Sequence, residues 1–151
     1  MAAQGTEKFT DVRTAVADLI ARYAHAVDGG RFDDASACFA SDGVLDVGEG
    51  ARSVGPAAIS RRFAEAGWKL AASSNENVAF VRHHVSSLVV EMDTSGTSAT
   101  ARSYFLVLTE IGVDHWGRYL DRVVKGLDGQ WQFAERRVAV DGRSGPSRMT
   151  Y

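Results

Sequence analysis

Between residues 12 and 27 the apolar side chains recur at three- and four-residue steps: Val12, Ala15, Val16, Leu19, Ile20, Tyr23 and Val27. That spacing puts them on one face of an α-helix. The pattern starts the helix at Thr10 or Asp11, both N-capping residue types, and stops it at Gly29-Gly30. A shorter helix is predicted over 33–40, ended by a turn at Ser41-Asp42-Gly43. Val44-Leu45-Asp46-Val47 reads as a short strand and 48–55 as a loop. Pro56 suits the first turn of a third helix ending near Gly67. Residues 68–80 show no clear period, and 73–77 read as an exposed loop. Beyond them the period drops to two. Four strands are predicted near 81–92, 98–111, 117–126 and 130–141. Turns at Asp93-Thr94-Ser95-Gly96, Gly112-Val113-Asp114-His115 and Asp128-Gly129 separate them. Residues 1–9 and 142–151 are expected as a loose N-terminus and tail around a single domain at 10–141.

Helices first and a long meander afterwards predict an α+β fold, with three N-terminal helices on one face of a curved antiparallel or mixed sheet. Such a sheet cannot cover its own concave face. The helices close it into a cone, whose interior is a natural pocket for a small-molecule substrate. Apolar residues on both faces of the strands, as in Val89-Val90 and Val123-Val124, lead us to expect a homodimer or homotrimer packed through the sheet.

Composition narrows the function classes. A 151-residue chain with 45% hydrophobic and 24% charged residues fits one globular domain with a sizeable core. Net charge is −2 and no Lys/Arg run exceeds two residues, so the footprint of a nucleic-acid or anionic-lipid partner is missing. No apolar run is long enough for a membrane span, and the N-terminus lacks the apolar stretch of a secretion signal. Cys38 is the single cysteine, which rules out an intramolecular disulfide and points to the cytoplasm. Its apolar helical surroundings mark it as a small buried hydrophobe rather than a nucleophile.

The chemistry concentrates on three stretches. His83 and His84 open the first long strand and point to opposite sides, so only one can face the cone. Alternation leaves the choice open: His83 shares a side with Val85 and Val89, and His84 with Leu88 and Val90. Asp28 ends the first helix, where the macrodipole disfavours a carboxylate by about 0.3–1 kcal/mol. A carboxylate kept there suggests a task other than stability, such as orienting a histidine for proton transfer. Tyr23 sits about 140° around the same helix from Asp28, placed to donate a hydrogen bond into the same cavity. His25 falls on the polar side. His115, in a predicted turn, reads as a surface residue.

On the last strand, Arg136 and Arg137 follow an apolar start, and whichever points inward can stabilise a developing oxyanion. Candidate substrate-binding residues are Trp68, Phe80, His84, Tyr104 and Tyr119. Adjacent strand histidines diverge and the His-x-Asp/Glu spacing of iron sites is absent, so no metal is expected. Phosphate-binding loops, nucleotide fingerprints and the Gly-x-Ser-x-Gly elbow are also missing, and no other cofactor is expected.

Several stretches together resemble the SnoaL-like group of the nuclear transport factor 2-like superfamily. They are residues 19–32, Phe39-Ala40-Ser41-Asp42-Gly43, Arg82-His83-His84-Val85-Ser86-Ser87, Gly117-Arg118-Tyr119-Leu120-Asp121, Gly129-Gln130-Trp131-Gln132-Phe133 and Arg136-Arg137. The resemblance covers roughly residues 10–141 and implies the cone-shaped fold. The superfamily includes scytalone dehydratase, bile-acid dehydratase, lindane dehydrochlorinase, ketosteroid isomerase, polyketide cyclases and non-catalytic binding modules. Its most similar members use an Asp–His dyad, a Tyr or Lys five residues before the Asp and an Arg on the last strand. Tyr23, Asp28, His83 and Arg136 occupy those positions. The resemblance thus implies a cofactor-independent lyase or isomerase, dehydration favoured, acting on an apolar, aromatic or polycyclic small molecule. Cyclisation, ketosteroid-type isomerisation and a binding or assembly role are the alternatives.

Overall fold

A computed structural model of the protein describes the backbone over residues 2–48, 51–73 and 80–147, and side chains over 9–48, 51–67 and 80–147. Three helices, α1 (Ala2–Asp28), α2 (Phe32–Ala37) and α3 (Pro56–Ser73), accompany six strands. These are β1 (Phe39–Asp46), β2 (Arg52–Val54), β3 (Arg82–Met92), β4 (Ser98–Thr109), β5 (Gly112–Lys125) and β6 (Trp131–Arg143). One mixed sheet has the order β2-β1-β6-β5-β4-β3, with β1 parallel to β6 and every other pair antiparallel.

The apolar stripe of α1 becomes the lid of the core. Val12, Val16, Leu19, Ile20 and Tyr23 are buried against Leu45, Ala101, Phe105, Val107, Tyr119, Val123 and Phe133 from the sheet. The helix begins at Ala2, upstream of the start expected at Thr10 or Asp11. It ends where expected, with Gly30 in the left-handed region at φ 68°.

Several boundaries differ from the sequence reading, each for a physical reason. Ser41-Asp42-Gly43 does not turn the chain; it lies inside β1, which starts at Phe39. The pairing of β1 with β6 shifts register between Phe39 and Val44. Gly43 sits in that irregularity, where a Cβ would lie 2.8 Å from the Phe133 carbonyl oxygen, so only glycine fits without a shift. Within the expected loop at 48–55, Arg52-Ser53-Val54 form the edge strand β2. Helix α3 runs past Gly67 to Ser73. The turn expected at 112–115 is tighter, so Asp114 and His115 belong to β5. Strand β6 extends to Arg143. The following residues are tied down: the Ser144 amide donates to the Asp114 carbonyl at 2.8 Å and Ser147 Oγ to Asp114 Oδ1 at 2.6 Å.

Candidate active site

The C-terminus of α1 meets the start of β3. His83 Nδ1 lies 2.6 Å from Asp28 Oδ1, and the His83 backbone N–H donates to Asp28 Oδ2 at 2.9 Å. One carboxylate therefore holds both the ring and the strand that carries it. An ionised carboxylate only accepts hydrogen bonds, so in a neutral imidazole paired with it Nδ1 carries the proton and Nε2 is the acceptor. No partner among the described residues takes Nε2. Both side chains are largely enclosed, His83 at 10% and Asp28 at 12% exposure.

His83 and Asp28 border an inner cavity of about 210 Å³ under α1, shared with Tyr23, Val27, Phe63, Tyr119 and Val138. They also border a larger, open groove outside the cone. The inner cavity is the smaller and less open of the two, walled by Tyr23, Tyr119 and apolar side chains.

Burial pushes the Tyr23 phenol up to about 12, against the nearby Arg136 charge that pulls it down. It is a neutral hydrogen-bond donor throughout the ordinary pH range. Arg136 is fully buried and sits behind Tyr23 rather than in the cavity wall. Its Nε and Nη2 donate to the two oxygens of Asp121 at 2.9 and 2.7 Å. Its guanidinium carbon lies 4.4, 4.0 and 4.1 Å from the ring centroids of Tyr23, Tyr119 and Phe133. Burial alone would push the guanidinium pKa down; the Asp121 charge and hydrogen bonds reverse this and drive it up. Arg136 was expected to touch substrate oxygen directly. The structure instead binds it to Asp121, an acid that the sequence reading did not single out. The signal was available in the apolar company of Asp121 at an inward position of β5.

The remaining candidates divide. His84 is exposed on the opposite side of β3 from His83, and Arg137 is exposed beside the buried Arg136. Tyr119 lines the cavity, with Phe105 stacked behind it at 4.6 Å between ring centroids. Tyr104 is 58% exposed and faces outward with His84, Leu106 and Trp116, so it is no part of the inner wall. Phe80 is also exposed, with the Arg82 guanidinium 5.8 Å from its ring centroid, and does not line the cavity. The Trp68 side chain lies outside the described residues.

His115, expected on the surface, is completely buried. A register shift between β4 and β5 at Val107/Leu108 lets the consecutive Asp114 and His115 both turn inward, and Asp114 Oδ1 meets His115 Nδ1 at 2.8 Å. Among the described residues, no group of three or more His, Cys, Asp or Glu side chains is arranged to hold a metal ion. Nor is any described helix long and apolar enough to cross a membrane.

Three helices packed against a six-stranded mixed sheet, with a pocket between them, define the nuclear transport factor 2-like, cystatin-like fold. The SnoaL-like domain family matches residues 9–137, and the chain belongs to that family. Solved structures share the fold. Putative Scytalone Dehydratase from Novosphingobium aromaticivorans DSM 12444 superposes with TM-score 0.78 at 22% identity, covering 92% of this chain and 90% of that one. ActVI-ORFA from Streptomyces coelicolor gives 0.74 at 22%, covering 87% and 98%. A protein from Catenulispora acidiphila in complex with S-DNPA gives 0.74 at 28%, covering 87% and 95%. No curated protein matches the sequence.

Proposed function

We propose that the protein is a cofactor-independent dehydratase-type lyase that removes a proton next to a carbonyl and expels the β-hydroxyl as water. The observation that carries this reading is the 2.6 Å Asp28–His83 contact at the wall of a largely apolar cavity that also holds a neutral Tyr23. His83 Nε2 takes the α-proton, and the Asp28 carboxylate stabilises the imidazolium that forms. Tyr23 donates to the carbonyl oxygen as it gains charge. The Arg136 guanidinium on the Tyr23 ring strengthens that donor without touching substrate. The proton on Nε2 then passes to the departing hydroxyl. The C–H and C–O bonds break, the C=C bond forms, and His83 returns neutral. Its place beside a structure named for scytalone dehydratase and one binding a small molecule supports the reading.

At about 210 Å³ the cavity lies below the ~300–1,000 Å³ of most ligand pockets, which favours a compact ring system over a large polycycle. The outer sheet face, with Tyr104, Leu106 and Trp116 exposed, is the surface on which we place homo-oligomer contacts.

The test is a panel of cyclic β-hydroxy ketones followed by the ultraviolet absorbance of the conjugated enone product. Turnover by the wild type should fall by about 10²–10⁴ in His83→Ala, the usual worth of a positioned general base. Undiminished turnover in that variant refutes the reading.

A further inference from the structure

The second hollow bordered by Asp28 and His83 is an open groove of about 720 Å³ between α1 and β3. Strand β3 is the last in the sheet, so the groove follows a free edge. From Arg82 to Leu88 it extends about 20 Å at the rise of a strand. Its floor is apolar: Ala17, Ala21 and Ala24 from successive turns of α1 oppose Val85 and Leu88. The small side chains of the helix keep the trough open along its length.

Cations stand at both ends, and among the described residues two of them lack a carboxylate. Arg82 donates to the Val81 carbonyl at 2.7 Å, and Arg13 to the Leu88 carbonyl at 2.9 Å. Neither is ion-paired among the described residues, whereas Arg31 is committed to Asp34 at 3.1 Å. Asp28, the acid in the groove wall, is already held by His83. Near Arg82 the groove also carries His25 and His84. The occupant must therefore offer negative charge at one end and an apolar body along the floor. An added β-strand is disfavoured, because the His83 N–H and the Leu88 carbonyl on this edge are already taken by Asp28 and Arg13.

We propose that the groove binds an amphipathic organic carboxylate, with its head on the Arg82 guanidinium and its tail along Ala24, Ala21 and Ala17 toward Leu88. A carboxylate and a guanidinium form a charge-assisted, bidentate pair, and the tail covers alkyl surface now facing water. The groove and the inner cavity share Asp28 and His83 as a common wall, but binding along Ala24, Ala21 and Ala17 does not depend on the reaction assigned to the inner cavity.

Titration of ¹⁵N-labelled protein with decanoate, followed by amide shifts, tests it, with decanol as the uncharged control. Decanoate should saturate shifts at 17–24 and 82–88 and bind at least tenfold tighter than decanol. Arg82→Gln should remove that advantage while leaving decanol binding unchanged, and Ala21→Trp, which fills the trough, should abolish both. Equal binding of decanol, wild-type affinity for decanoate in Arg82→Gln, or shifts centred on Phe63, Tyr119 and Val138 instead would each overturn the proposal.

Discussion

Replacing Asp121 by Asn tests what the buried ion pair does for the fold. The change keeps the size of the side chain and removes the charge that faces a fully buried Arg136, which then stays cationic without a counter-ion. Breaking one partner of a buried pair costs about 3–5 kcal/mol, because the surviving charge remains out of water. The three rings around the guanidinium contribute roughly 0.5–2 kcal/mol each in wild type and variant alike, so they do not offset the loss. For a chain of this size, 1 kcal/mol shifts Tm by about 2–4 °C, so calorimetry should show a fall of roughly 6–20 °C. The double variant Asp121→Leu/Arg136→Met removes both charges and fills the space with apolar atoms. Such exchanges are neutral or stabilising in comparable sites, so it should melt well above the single variant. A loss under about 1 kcal/mol in Asp121→Asn, or a double variant less stable than the single one, would refute this account of the pair.

Asp28→Asn should lower both turnover and stability, since Asp28 anchors the β3 backbone as well as the His83 ring. Hydrogen bonds to charged groups are worth about 1.5–3 kcal/mol, and urea melts of Asp28→Asn and His83→Ala that prove equally stable to wild type would contradict that dual role. His115 offers a pH signature. Burial, only partly offset by Asp114, holds its pKa below the usual histidine value, so the unfolded chain takes up a proton that the folded one resists. Stability is fully present above pH ~6.5 and falls as the pH drops below it; His115→Gln should flatten that slope in Tm measured from pH 5 to 8, and an unchanged slope would count against it. Trp116→Glu should convert a dimer or trimer into single chains by light scattering, and a wild type already at single-chain mass at micromolar concentration would end the assembly reading.

How far the sequence could be read depended on where its periods held. The α1 stripe and β4 kept theirs, and the other long strands kept enough of theirs that element order, the cone and the Asp28 position at the helix end followed directly. The choice between His83 and His84 did not, because alternation along β3 is broken. A register shift between Ser86 and Val89, with Ser87 in the left-handed region at φ 54°, inserts one residue. His83, Val85, Leu88 and Val90 then face inward together, although they belong to opposite parities in the sequence. The same device, at Val107/Leu108, turned both Asp114 and His115 inward and hid a buried histidine behind a turn-like sequence. Tyr104 misled for a simpler reason: an aromatic on a strand reads as pocket or core until the face it occupies is known. The fate of Arg136 required its partner Asp121, 15 residues earlier and opposite it on the β5–β6 hairpin, a pairing that no single strand reveals.

The strand order also sets the schedule on which a newly made chain can become this protein. Strand β6 stands in the middle of the sheet, joining the β2–β1 pair on one side to the β5–β4–β3 meander on the other. Among the six strands described it is also the last to be synthesised. Until residue 143 has left the ribosome, the two halves of the sheet have nothing to join them. Until then Asp121 lacks its guanidinium and the cavity lacks the Val138 wall. The helix that carries Asp28 and the strand that carries His83 emerge long before the scaffold that fixes their meeting. A nascent or truncated chain therefore holds most of the residues of the site without the enclosure that makes them one.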